Sequence, residues 1–260
     1  MTLEIDLRHS RLARVNPVAK LAAAGILSIT LLLSIDPVSA GVTLVATLLL
    51  LPFAGLAARQ LWLRMWPIAL GALVASLATV LYGRPDGEIY VEWGILRISD
   101  GSIDLALSIF LRVLAIALPS VVLFATTDPT DLADGLAQIL RLPARFVVVA
   151  LAGLRLVGLL IDDWRELSLA RRARGVADAG RLRRFAGQSF ALFVLAIRRG
   201  TKLATAMEAR GFDAAGPRTW ARPSRLRWRD AGLVALAAAI AAASVLAAIA
   251  AGTWRFILGL

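Results

Sequence analysis

Apolar residues occur along this chain in long runs separated by short polar breaks. A run near 20 residues predicts a helix that crosses a bilayer, since ~20 residues at 1.5 Å each cover a hydrocarbon core of ~30 Å. Four such runs come early, at residues 18–35, 38–58, 66–82 and 105–125, and a fifth, 231–251, lies near the C-terminus. Asp36-Pro37 makes a tight turn between the first two, and Arg59 and Arg64 fall between the second and third. Within the loop at 83–104, residues 88–98 alternate and are rich in β-formers (Ile89, Tyr90, Val91, Trp93, Ile95) around Gly94, which predicts a small hairpin.

The stretch after residue 126 changes character. Asp128 suits an N-cap, Pro129 the first helical position and Asp131 the positive end of the dipole, so a short helix is expected there, broken at Leu142-Pro143. A long helix should then run from about Ala144 to Arg174, stopped by Gly175. A second should follow a polar linker, from about Gly187 to Arg210, stopped by Gly211. Residues 144–161 are apolar enough to span, but Arg155 at their middle costs ~2.5–3.5 kcal/mol on insertion scales. The segment is therefore expected on the cytoplasmic side, along the membrane surface or under the other helices. The pattern predicts an all-α polytopic membrane protein with about five transmembrane helices. Its parts are a four-span region at 1–127, cytoplasmic helices at 128–229 and a C-terminal transmembrane helix at 230–260.

Composition agrees. The chain has 260 residues, is 59% hydrophobic and carries a formal net charge of +11, with a mean hydropathy of +0.75. Between Arg141 and Arg229 lie 19 of the 29 Lys+Arg, against six Asp+Glu. A basic block suits nucleic acid, anionic lipid or the positive-inside rule, and in a polytopic protein the last is the default. Arg8, Arg11, Arg14 and Lys20 put the N-terminus inside. The acidic loop, with Asp86, Glu88, Glu92, Asp100 and Asp104, falls outside. Five crossings then leave the C-terminus outside, with Trp254 at the interface. No removable targeting peptide is expected before the first span. There is no Cys and a single His, His9, expected to be solvated, so no Cys-ligated or His-based metal site is expected. Pro52, Pro67 and Pro119 either kink spans or mark their ends.

Two helix ends share one motif. Ala173-Arg174-Gly175 and Ala209-Arg210-Gly211 close Ala/Leu/Arg-rich segments 36 residues apart. The bare tripeptide is weak, since Arg meets the negative end of a helix dipole and Gly ends helices in any protein. Its context is more specific. Thr126-Thr127-Asp128-Pro129-Thr130-Asp131-Leu132, Leu142-Pro143, Leu154-Arg155-Leu156, Arg165-Glu166, the run from Ala170 to Gly175, Met207-Glu208-Ala209-Arg210-Gly211-Phe212 and Arg218-Thr219 follow in order. This series resembles the transmembrane T component of energy-coupling factor (ECF) transporters, the family that includes the CbiQ-type cobalt subunits. Asn16-Pro17-Val18-Ala19-Lys20-Leu21 is similar to that family's opening, where Asp is commoner than Asn before the Pro.

The resemblance implies a non-catalytic subunit of a bacterial cell-membrane importer for a vitamin or a transition-metal ion. Two cytoplasmic ATPases would bind ATP and Mg, and this chain would bind no cofactor. It would link them to a membrane-embedded substrate-binding S component. The two Ala-Arg-Gly motifs would be tips seated in grooves of the ATPases, with Arg155, Glu166, Arg171 and Glu208 as supporting coupling-helix residues. An Arg at a helix end can pair bidentately with acids or carbonyls, and its small neighbours permit close approach. Arg155 itself would pair with Asp162, Asp163 or Glu166, or reach phosphate headgroups. The acids 162, 163 and 166, lacking His or Cys nearby, read as salt-bridging rather than metal-binding. The Ala-rich last span suits close helix packing or a partner in the membrane.

Other classes fit less well. Lys20 and Lys202 are the only lysines, and neither completes a phosphate loop. There is no Gly-x-Ser-x-Gly elbow and no His constellation. A conventional ABC permease subunit would show one coupling-loop motif of another type. A membrane enzyme acting on phosphorylated lipid would need more than Asp162-Asp163. A membrane-anchored nucleic-acid binder would interleave aromatics with the basic residues, whereas Trp164, Phe185, Phe190, Phe193, Phe212, Trp220 and Trp228 fall mostly at core-like spacing.

Overall fold

The apolar runs of the chain become helices, and four of the helices are each opened by a capping side chain that the sequence supplies. A computed structural model describes residues 12–56, 58–83, 87–93, 96–175, 180–212 and 219–254. Arg8, His9, Arg11, Asp86, Gly94, Ile95 and Arg218 lie outside these. Asn16 Oδ1 accepts from Val18 N at 2.9 Å and starts α1 (Pro17–Leu33). Asp36 accepts from Ser39 N at 2.6 Å and from Ser39 Oγ at 2.8 Å, starting α2 (Pro37–Ala54). After α3 (Ala58–Tyr82) comes the expected hairpin, β1 (Ile89–Trp93) antiparallel to β2 (Leu96–Ser99). A reciprocal Ser99–Ser102 cap opens α4 (Asp100–Ala125), and Asp128 Oδ1, 2.7 Å from Thr130 N, opens α5 (Pro129–Gln138). Then follow α6 (Ala144–Ala173), α7 (Arg181–Ala209) and α8 (Trp228–Ala250).

By length and composition α2, α3, α4, α6 and α8 can each cross a membrane. α1, at 17 residues, sits at the short end of the spanning range. The protein is therefore a multi-pass, all-α membrane protein. This set adds α6 to the helices expected to span. Two helices also begin earlier than expected. α3 starts at Ala58 rather than residue 66 and takes in Arg59 and Arg64. α7 starts at Arg181 rather than Gly187, which puts Arg183 in its first turn and not in a linker. An apolar run undercounts a helix whose ends are polar, because Arg, Ala, Gln and Leu extend it readily.

The chain divides into two compact units, Met1–Leu132 with Arg225–Leu260, and Ala133–Ser224. In the first, α1, α4 and α8 meet through Ala23, Ala24, Leu27, Leu123, Ala237 and Ala241, and α1, α2 and α4 through Leu31, Ala40 and Ala115. Small side chains let these helices approach closely, which is what drives packing where lipid removes the hydrophobic effect. α3 and α4 pair along their length, with Ser76 Oγ donating to Ala106 O at 2.9 Å.

In the second unit α5 packs on α6 through Ala133, Ala137 and Val147. α6 and α7 are joined by a largely buried ion pair. Arg199 Nη2 lies 2.8 Å from Asp163 Oδ1, with the Asp163 side chain 11% and the Arg199 side chain 34% exposed. Arg171 Nη2 donates to Gly187 O at 3.0 Å, and the Trp164 and Phe185 rings stand 5.6 Å apart.

This pair should hold the two helices together measurably. Asp163→Ala and Arg199→Ala should each destabilise the purified protein by about 1–3 kcal/mol, less than a fully buried pair because Arg199 is partly solvated. Removing both should cost less than the sum of the two, since each single change strands a charge. Thermal unfolding of the three variants in detergent checks this.

Candidate functional site

The two tips are built alike by local hydrogen bonding. At the end of α6, Arg174 N donates to Ala170 O at 3.2 Å and Gly175 N to Arg172 O at 3.0 Å, with Gly175 at φ 67°. At the end of α7, Gly211 N donates to Glu208 O at 2.9 Å and Phe212 N to Met207 O at 3.0 Å, with Gly211 at φ 73°. At α7 the two bonds make the Schellman arrangement, in which a left-handed residue turns the chain back onto its own last carbonyls, and α6 shares its left-handed glycine and the Gly175 N bond to Arg172 O. Glycine takes that conformation without steric cost.

α8 supplies an internal comparison. It ends at Ala251-Gly252-Thr253, with Gly252 N on Ile249 O at 3.0 Å, Thr253 N on Ala248 O at 3.1 Å and Gly252 at φ 68°. The same stop forms with Ala where α6 and α7 have Arg. Arg174 and Arg210 are thus not needed to end their helices. Both are exposed, as are Ala173, Gly175, Ala209 and Gly211, and neither guanidinium makes a hydrogen bond or ion pair with a described residue.

The contacts between α6 and α7 run in reversed order on the two helices, Asp163 meeting Arg199 and Arg171 meeting Gly187. The pair is therefore antiparallel in sense, and its two C-terminal tips leave the crossing in opposite directions. Arg174 lies just past Arg171, while Arg210 lies ~35 Å of helix beyond Gly187, the residue Arg171 touches.

The other candidates divide. Arg171 is half-buried and ties α6 to α7 through Gly187 O. Glu166 and Glu208 are exposed. Arg155 is exposed and does not pair with Asp162, Asp163 or Glu166. Asp162 meets Arg165 at 3.3 Å and Asp163 meets Arg199. Helical neighbours meet three or four residues apart, and Arg155 stands about two to three turns from those acids, too far along one helix. Among the described residues no group of three or more His, Cys, Asp or Glu is placed to hold a metal.

Sequence reasoning missed three charges. Arg199 is the partner of Asp163, across 36 residues. Lys20 is buried and bonded to Thr126. Arg112, midway along α4, has its Nε and Nη2 buried without a hydrogen-bond partner among the described residues. An ionisable residue inside a span is itself a signal, and Arg112 could have been noticed on that ground.

Comparison with known proteins places these features in a family. The model of the CbiQ family, described as cobalt transport protein, matches residues 8–220. The transmembrane protein EcfT of the energy-coupling factor transporter of Limosilactobacillus fermentum is 33% identical over 194 residues, covering 70% of this chain and 72% of that protein. EcfT of Exiguobacterium sibiricum is 30% identical, covering 74% and 80%, and EcfT of Bacillus selenitireducens 28% identical, covering 88% and 90%. Both helix tips fall inside the matched region, and a match of this extent shows the family: the chain belongs to the CbiQ/EcfT family and is a transmembrane coupling subunit of an ECF transporter.

Proposed function

We propose that Arg174 and Arg210 each dock α6 and α7 on one of two cytoplasmic ATPase subunits, whose closure on ATP moves the helices and, through them, a membrane-embedded S component. The observation that carries this reading is the pair of exposed, unpaired arginines at matched helix ends that do not need them. The chain supplies no phosphate loop, so hydrolysis falls to the ATPases. The cargo is a vitamin or a transition-metal ion, chosen by the S component. Arg155, Glu166, Arg171 and Glu208 support the docking helices, Arg171 by fixing α6 on α7.

The reading places the chain in a bacterial plasma membrane with α1, α2, α3, α4 and α8 crossing. α6 is long and apolar enough to cross as well. If it did, the arginines from 171 to 229 would lie outside, against the positive-inside rule. Its second half also carries Asp162, Asp163, Arg165 and Glu166, which favours the cytoplasmic surface. The N-terminus is then cytoplasmic and the C-terminus extracellular. Tags on each end of the protein should be accessible from opposite sides in intact cells and inverted vesicles. A C-terminal tag reached only from inside would make α6 a span and remove both tips from the ATPases.

The tips are tested by charge reversal. Arg174→Glu or Arg210→Glu should weaken ATPase binding by about 2–5 kcal/mol, chiefly through faster dissociation. Uptake should fall accordingly while the chain still inserts. The double change should release the ATPases. Arg183→Glu is the control. It lies in the first turn of α7, where an acid suits the helix dipole, and should leave co-purification of the ATPases intact. Equal damage from Arg183→Glu would mean a diffuse basic patch rather than two tips. The purified chain alone should hydrolyse no ATP above the background of a mock purification.

A further inference from the structure

Within the first unit, α1, α2, α4 and α8 leave a cleft of about 150 Å³ between them. Its floor is buried and is made by Ala23, Leu27, Leu123 and Ala237. Its rim includes Phe53 and Leu236, 63% and 42% exposed, so the cleft opens towards the outside of the bundle. Thr47 is the one polar residue among those that line it, and its hydroxyl is spent on Thr43 O and Leu44 O, each at 2.9 Å. An apolar cavity of this size stays dry and accepts apolar ligands. One turn of a helix ~10 Å across fills roughly 400 Å³. The cleft therefore admits a flexible hydrocarbon segment and not a further helix.

The charges around the cleft say what that hydrocarbon belongs to. The later parts of α2 and α4 and the earlier part of α8 wall it, together with Leu12 just before α1. It thus lies towards the end of the bundle where α1 and α8 begin. From α8 it is faced by Leu233, Leu236, Ala237 and Ile240, at helical spacings of three and four. Arg229 heads the same stripe, one turn before Leu233, and helical side chains lean towards the N-terminus, away from the apolar wall. Trp228 beside it is 80% exposed, with the Arg229 guanidinium carbon 5.5 Å from its ring centre. An exposed Trp at the start of a span marks the headgroup level. Asn16 N donates to Asp230 Oδ1 at 2.7 Å, which brings the segment carrying Arg14 beside the first turn of α8. Asp230 is buried, and its other oxygen accepts from Arg227 N at 2.6 Å. Arg14, Arg227 and Arg229 are all exposed.

We propose that this cleft holds one acyl chain of an anionic phospholipid, whose phosphate lies against Arg229 and Arg14. Basic residues between transmembrane helices recognise anionic headgroups in this way, and an arginine fork matches phosphate geometry. The site lies within one unit and does not depend on what the two tips grip.

Native mass spectrometry of the purified full chain, titrated with dioleoyl phosphatidylglycerol or dioleoyl phosphatidylcholine, tests this. One phosphatidylglycerol should be retained in preference to phosphatidylcholine by about fivefold or more, the effect of one arginine near an anionic headgroup. Arg229→Gln should abolish most of that preference, whereas Arg183→Gln on α7 should leave it unchanged. Leu236→Trp, which plugs the rim from a partly exposed position, should lower retention of both lipids while the protein's thermal unfolding in detergent stays the same. Equal retention of the two lipids, the mark of an unselective lipid shell, would overturn the proposal. So would equal losses from Arg229→Gln and Arg183→Gln, or undiminished retention by Leu236→Trp. The titration is repeated on the complete complex with its partner subunits. Loss of the lipid there would assign the cleft to a protein side chain instead and refute the proposal; its persistence would support a lipid that stays in place in the working assembly.

Discussion

A bilayer offers no water to backbone N–H and C=O groups, and this constraint shapes the whole molecule. Each helix must satisfy its own ladder, and each break must be closed by a side chain or by the chain folding back. Asn16, Asp36, Ser99 and Asp128 close the starts of α1, α2, α4 and α5. Left-handed glycines close the ends of α2, α6, α7 and α8. The same stop that ends α8 beside Ala251 presents an arginine at the ends of α6 and α7.

The two units obey different packing rules. In the first, Ala, Ser and Thr bring α1, α2, α4 and α8 together, with Ala115, Ser244 and Ala248 fully buried. Such contacts depend on shape and close approach. In the second, α6 and α7 are fastened by Asp163–Arg199, the Arg171–Gly187 bond and the Trp164–Phe185 contact. A helix pair joined at a few polar points near its crossing keeps its ends unencumbered.

The basic excess between residues 141 and 229 serves more than one end. Arg199 and Arg171 are structural, each spent on holding one helix to the other. Arg165 makes a surface pair with Asp162 of the kind that contributes little to stability. Arg174 and Arg210 are left over by the local structure. A single count of positive charge sees one block where the fold distinguishes three roles.

Most of the helices, the Asp128 cap, the hairpin and both glycine stops were legible in the sequence because each depends on residues within a turn or two of itself. The family was legible for the same reason, as its motifs are local strings. Tertiary structure decided which charges meet. Asp163 found Arg199 on the next helix and not Arg155 on its own, Lys20 found Thr126 across 106 residues, and Asp230 found Asn16 across 214. Composition could not foresee these pairings. A charge takes the partner that packing brings within hydrogen-bond reach, and that depends on how helices cross rather than on the residues beside it in the chain.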